Sequence, residues 1–283
     1  MNRTKRFLGI IPILLVLISM SVLQAQIPAA IDTKMKSDNM RNFQVEELKV
    51  RWKKAALENC PGVPCLAPVC PTSTVTDIDG NIYSTVAIGT QCWTKENLKV
   101  TKYNNNDIIP DSSNSTWGTA AIGALTDYVG VSGYVGTYGY LYNWYAATDS
   151  RKICPDGWHV PTDDEWTILI LSIDSTSVAT GVQSTTAGGK MKTPGTSFWN
   201  FPNIGTNQSG FSALGGGFRR SDVGLPLQGM VDNLNKNGWF WSSTTFDLNT
   251  EQARFRLLIF AGDQVFRTQE NKRYGASIRC IKN

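Results

Sequence analysis

A chain of 283 residues with 27 basic and 23 acidic side chains, one histidine and 41% hydrophobic residues has a formal net charge of only +4. Its Lys and Arg are interspersed with acids instead of clustered, which excludes the electrostatic footprint of a nucleic-acid binder. Much of the excess lies at the start: without Arg3, Lys5 and Arg6 the 27 basic residues fall to 24 against 23 acids, a net of about +1.

Residues 1–25 read as a secretory signal peptide, with the basic MNRTKR, an uncharged apolar run from Phe7 to Leu23, and Ala25 as the small residue for cleavage. No cysteine directly follows the run, so a lipid anchor is not expected, and no later segment is apolar enough to span a membrane. Residues 26–59 read as a helical extension. Positions 33–59 lack Gly and Pro and set Val45, Leu48, Trp52, Ala55 and Ala56 on one helical face. That stripe is too short for a coiled coil and suits a packed spacer. Residues 60–74 form a hinge, because the four prolines of CPGVPCLAPVCP deny it regular structure.

From residue 75 to 283 the chain is rich in Gly, Asn, Thr and aromatic residues, in short alternating runs that predict antiparallel strands and hairpins. TVTDIDGNIYSTVAIGTQCW divides into two strands at Asp79-Gly80, a favoured turn pair. A calcium loop starting at Asp77 would need Gly at its sixth position and Glu at its twelfth. Ile82 and Ile88 stand there, so DIDGN is a turn. YGYLYNWYAA, residues 138–147, reads as another strand.

CPDGWHVPTDDEW, residues 154–166, gathers the only histidine, a cysteine and several acids, which raises the question of an acid/base or metal site. The spacing answers otherwise. Thr162 and Glu165 form a capping box for a helix over 162–173, Asp163 and Asp164 complement its dipole, and Trp166, Leu169, Ile170 and Ile173 make its buried stripe. His159 lacks a neighbouring nucleophile or ligand set and reads as a structural, hydrogen-bonded residue. Further strands follow at GWFWSSTT, where Trp239 and Trp241 share one face and Phe240 takes the other, and at 253–268, a hairpin turning at 261–264. YGASIRCIKN, 274–283, reads as the last strand.

Cys60, Cys65, Cys70, Cys92, Cys154 and Cys280 form an even set that, in an exported chain, reads as disulfides. The spacing of Cys60, Cys65 and Cys70 is unlike the paired knuckles of a zinc site.

IGTQCWTKENLKVTKYNNNDIIP, YGYLYNWYAA, CPDGWHVPTDDEW, GGKMKTPGTSFWNFPN, SGFSALGGGFRRSD, GWFWSSTT and YGASIRCIKN, in that order over about residues 75–282, closely resemble the Fibrobacter succinogenes major paralogous domain of exported Bacteroidota and Fibrobacter proteins. More distantly, GWHVPTDDEW with the terminal SIRCIK resembles C-type-lectin-like folds and relatives of formylglycine-generating enzymes. That resemblance implies an α+β, C-type-lectin-like domain with neighbouring ends and a disulfide between Cys154 and Cys280. Cys60, Cys65, Cys70 and Cys92 then allow three pairings.

The expected function is a secreted or cell-surface, non-enzymatic binding or structural module recognising a glycan or a cell-surface protein. The contact surface is expected in the loop-rich 196–224 stretch, at Trp199, Asn200, Asn203, Arg219, Arg220 and Asp222. Calcium-dependent lectins use Glu-Pro-Asn or Gln-Pro-Asp with Trp-Asn-Asp; Phe201-Pro202-Asn203 and Trp241-Ser242-Ser243 stand here, so sugar binding would be calcium-independent. An oxidase of the formylglycine-generating type needs a reactive thiol pair, and no cysteine lies between Cys154 and Cys280 to supply it. No cofactor and no metal are expected. The alternative is a subunit of a surface appendage that docks through the 33–59 helix.

Overall fold

The computed structural model describes residues 46–47, 70, 72–111, 117, 121–128, 133–178, 180–221 and 231–283. The signal peptide, and the helical extension and hinge apart from Glu46, Glu47, Cys70 and 72–74, lie outside the described residues; Glu46 and Glu47 are helical and exposed.

The architecture is α+β, mainly β. One sheet runs in the order β1 (Thr74–Thr76), β2 (Ile82–Ile88), β3 (Gln91–Thr94), β13 (Ile281–Lys282), β6 (Trp158–His159). The turn between β1 and β2 forms because Asp77 Oδ1 accepts from the backbone N–H groups of Asp79 and Asn81 at 3.0 and 2.9 Å, while Gly80 supplies a φ of 83°. The last strand of the chain therefore sits between two strands that come far earlier in the sequence, with Ile281 paired to both Trp93 and His159. Cys154 is bonded to Cys280 across 126 residues and Cys70 to Cys92 across 22. Cys60 and Cys65 lie outside the described residues.

The second sheet has the order β7 (Val182–Ser184), β12 (Val265–Asn271), β11 (Asn249–Ile259), β10 (Asn237–Phe246), β8 (Gly216–Arg219), β9 (Val231–Leu234). Its pairs are antiparallel except β8 with β10. Alternation places Trp239 and Trp241 on one face and Phe240 on the other, and all three are buried. Helix α3 (Asp163–Ile173) carries Trp166, Leu169 and Ile170 into the core, where Trp166 lies 4.9 Å from the Trp93 ring and 5.8 Å from Phe240. Both sheets thus meet through one aromatic cluster.

Two strand expectations need correction. Within 138–147 only Leu141–Tyr142 is a strand, β5, paired with β4 (Leu125–Thr126). The flanks are short helices, α1 (Tyr134–Tyr138) and α2 (Trp144–Ala147), because Gly139 turns the chain at a φ of 74° and Asn143 caps α2 by accepting from Ala146 N–H at 2.9 Å. Within 274–283 only β13 is regular strand. Ala276 and Ser277 make isolated bridges to Tyr142 and Phe240.

Candidate functional site

The 193–221 stretch is built on two buried cations and a buried indole. Helix α4 (Ala187–Met191) closes on the β11–β12 turn, where Gly188 N–H donates to Asp263 O at 2.8 Å. A Cβ at Gly188 would lie 2.3 Å from Gln264 O, so this approach requires glycine. Lys192 then plugs the same turn, donating from Nζ to the carbonyls of Ile259, Phe260 and Gly262 at 2.8–2.9 Å. Burial draws its pKa down to about 8, with Asp263 pulling the other way.

Of the sequence-predicted contact residues, Trp199 and Arg219 are interior. Trp199 is fully buried and donates from Nε1 to Ala213 O at 3.1 Å. Arg219 is fully buried, donates to Thr126 Oγ1 at 2.5 Å and lies 4.4 Å over the Trp117 ring. Burial lowers its pKa to about 10, against the fields of Asp111 and Asp127. Neither side chain offers a contact surface, since each spends its polar group on the core. Arg220 is half-buried and pairs with Asp232 at 3.2 Å. Asp222 lies outside the described residues.

Asn200 and Asn203 share a loop with Trp199. Asn203 staples it, with Nδ2 donating to Thr193 O and Gly195 O at 2.8 and 2.7 Å and Oδ1 accepting from Gly205 N–H at 3.0 Å. Asn200 is exposed and its N–H donates to Asn235 O at 2.6 Å. Between these anchors stands Phe201, 83% exposed, beside exposed Pro202 and Ile204. The sequence reading missed Phe201. Its one local signal was the Asn-Phe-Pro-Asn setting, an aromatic residue outside any strand period and among loop formers.

The 154–166 stretch is tied together as a network. Thr162 and Glu165 make the full capping box on α3. Glu165 also accepts from His159 Nε2 at 2.8 Å and from the Thr162 hydroxyl at 2.9 Å, which engages both of its carboxylate oxygens. The other ring nitrogen of His159 meets Asn283 Oδ1 at 2.6 Å. The bond to Glu165 raises the imidazole pKa, burial opposes it, and Asn283 adds to the rise. With both nitrogens engaged by oxygen, His159 binds the last strand to the helix. His159 and Asn283 border an open hollow of about 330 Å³ that Ser243 also lines.

Arg279 closes the frame from within. Its buried guanidinium donates to Asn97 Oδ1 at 2.6 Å and to the carbonyls of Thr94, Lys95, Phe211 and Ser212. Burial lowers its pKa to about 9, with Glu96 opposing. Among the described residues, no group of three or more His, Cys, Asp or Glu is placed to hold a metal ion. Among them, too, no helix is long and apolar enough to cross a membrane.

The family model of the Fibrobacter succinogenes major domain matches residues 86–282. The chain belongs to that family. Comparison with curated proteins and with solved structures gives no match. In this Fibrobacter succinogenes major domain, GGKMK supplies the glycine approach and the Lys192 plug, GWFWSSTT the central strand β10, and SIRCIK the Arg279 clamp with Cys280. These segments build the frame, and the exposed Phe201 loop stands on it.

Proposed function

We propose that the domain is an exported, non-enzymatic recognition module of lectin-like fold, binding a glycan or a surface protein without calcium through the 200–204 loop tip. The observation that carries this reading is Phe201, 83% exposed between two fixed points, buried Trp199 and stapled Asn203. A rigid loop presenting an aromatic ring with adjacent amides loses little conformational freedom on binding, which is how recognition loops on rigid scaffolds gain affinity. The lectin-like reading draws support from the capped helix α3 and from β13 seated between β3 and β6, which brings both ends of the domain together. Export draws support from the disulfides, which suit an oxidising compartment.

The test is a glycan array probed with the purified oxidised chain, in calcium and in chelator, alongside capture of surface proteins on immobilised domain. Binding that is equal in calcium and chelator is expected. Binding that collapses in chelator, or a silent array together with no captured protein, would sink the reading.

A further inference from the structure

The hollow beside His159 carries an inference of its own. At about 330 Å³ it lies at the small end of ligand pockets, a size that suits a single ring. Ile153, Trp158 and Val160 give it an apolar wall. Its acids are already committed. Asp149 is held by Arg151, whose Nε and Nη2 reach the two carboxylate oxygens at 2.9 and 2.8 Å. Glu165, behind His159, accepts from both that ring and Thr162.

The ammonium on the rim is placed differently. Lys152 lines the hollow and makes no ion pair among the described residues. It also adopts a φ of 62°, a left-handed state that disfavours any residue with a Cβ. Its N–H donates to Asp149 O at 2.9 Å and its carbonyl accepts from Asn104 N–H at 3.0 Å, so the strained conformation is held in place. Glycine would fit here at lower cost. A second ammonium, from Lys282, lies 5.8 Å from the Trp158 ring centroid. We propose that this hollow binds a carboxylate-bearing ligand of one-ring size, its ring on the apolar wall and its carboxylate on Lys152. The side chains of Asn283 and Ser243 are neutral hydrogen-bonding groups beside it. The hollow shares no lining residue with the 193–221 stretch, so it stands or falls apart from the loop reading.

Glucuronate and phenylacetate represent the sugar-acid and aryl-acid sources of this chemistry. Each would be titrated into the isotope-labelled, oxidised chain beside its neutral counterpart, glucose or phenylacetamide, with amide chemical shifts as readout. At least one carboxylate should shift the resonances of residues 148–160 and bind about fivefold more tightly than its neutral counterpart, the scale of one exposed ion pair. Lys152→Gly, which relieves the backbone strain, and Lys152→Gln should keep the wild-type spectrum and abolish that preference. Failure of both carboxylates to shift those resonances, equal affinity for the neutral compounds, or a preference that survives both variants would overturn the proposal.

Discussion

The Asp163 carboxylate meets Arg256 at 2.6 Å and Arg267 at 2.5 Å, with all three side chains at least nine-tenths buried. Burial alone would raise its pKa; the attraction of Arg256, then of Arg267, overrides that and holds it well below the usual carboxylate range. A folded value below the unfolded one means that the stabilisation is complete above about pH 4 and is lost as pH falls below it. Asp163→Ala should therefore cost about 3–5 kcal/mol at neutral pH, because it strands two buried cations. In urea denaturation the gap to wild type should narrow between pH 7 and pH 3. A gap of equal size at both values would contradict this account of the pair. The sequence placed Asp163 correctly in the first turn of a helix, but its two arginines lie 93 and 104 residues away, beyond any local spacing.

Helix α3 shows what local pattern can carry. Thr162 Oγ1 accepts from Glu165 N–H at 3.2 Å and Glu165 Oε2 accepts from Thr162 N–H at 2.8 Å, as the residue spacing requires. Thr162→Ala should lose about 1 kcal/mol of unfolding free energy, read as a lowered denaturant midpoint at unchanged slope, whereas Thr162→Ser should keep most of it. An equal loss in both variants would shift the effect away from the capping oxygen. The turn at Asp79-Gly80 and the hairpin expected at 253–268, observed over 249–271, were legible for the same reason, since alternation and turn residues lie within a few positions of each other, whereas the second turn of the first segment, between Ile88 and Gln91, was not read. The 138–147 segment was not legible. Its apolar run suits strand or helix equally, and the choice is made by Asn143, which accepts from both Ala146 and Ala124 N–H groups. Trp199 and Arg219 failed as surface expectations on similar grounds: an indole and a guanidinium go inside once a distant carbonyl or ring satisfies them.

At the scale of the whole molecule, the final residues hold the domain shut. Ile281 is seated between β3 and β6, Arg279 takes carbonyls from two loops, and the Cys154–Cys280 bond closes a span worth about 4–5 kcal/mol of unfolded-chain entropy. GGKMK, GWFWSSTT and SIRCIK thus serve the frame, while Phe201, at the far end of GGKMKTPGTSFWNFPN, stands 83% exposed among the described residues. That division is the central claim, and Phe201→Ala tests it most directly, with melting temperature and ligand binding measured on one sample. Truncating an exposed ring should leave stability within about 0.5 kcal/mol of wild type, while losing a central aromatic contact should weaken binding about tenfold or more. A lowered melting temperature would make Phe201 part of the frame, and unchanged binding would remove the loop from the recognition surface; either result contradicts the claim.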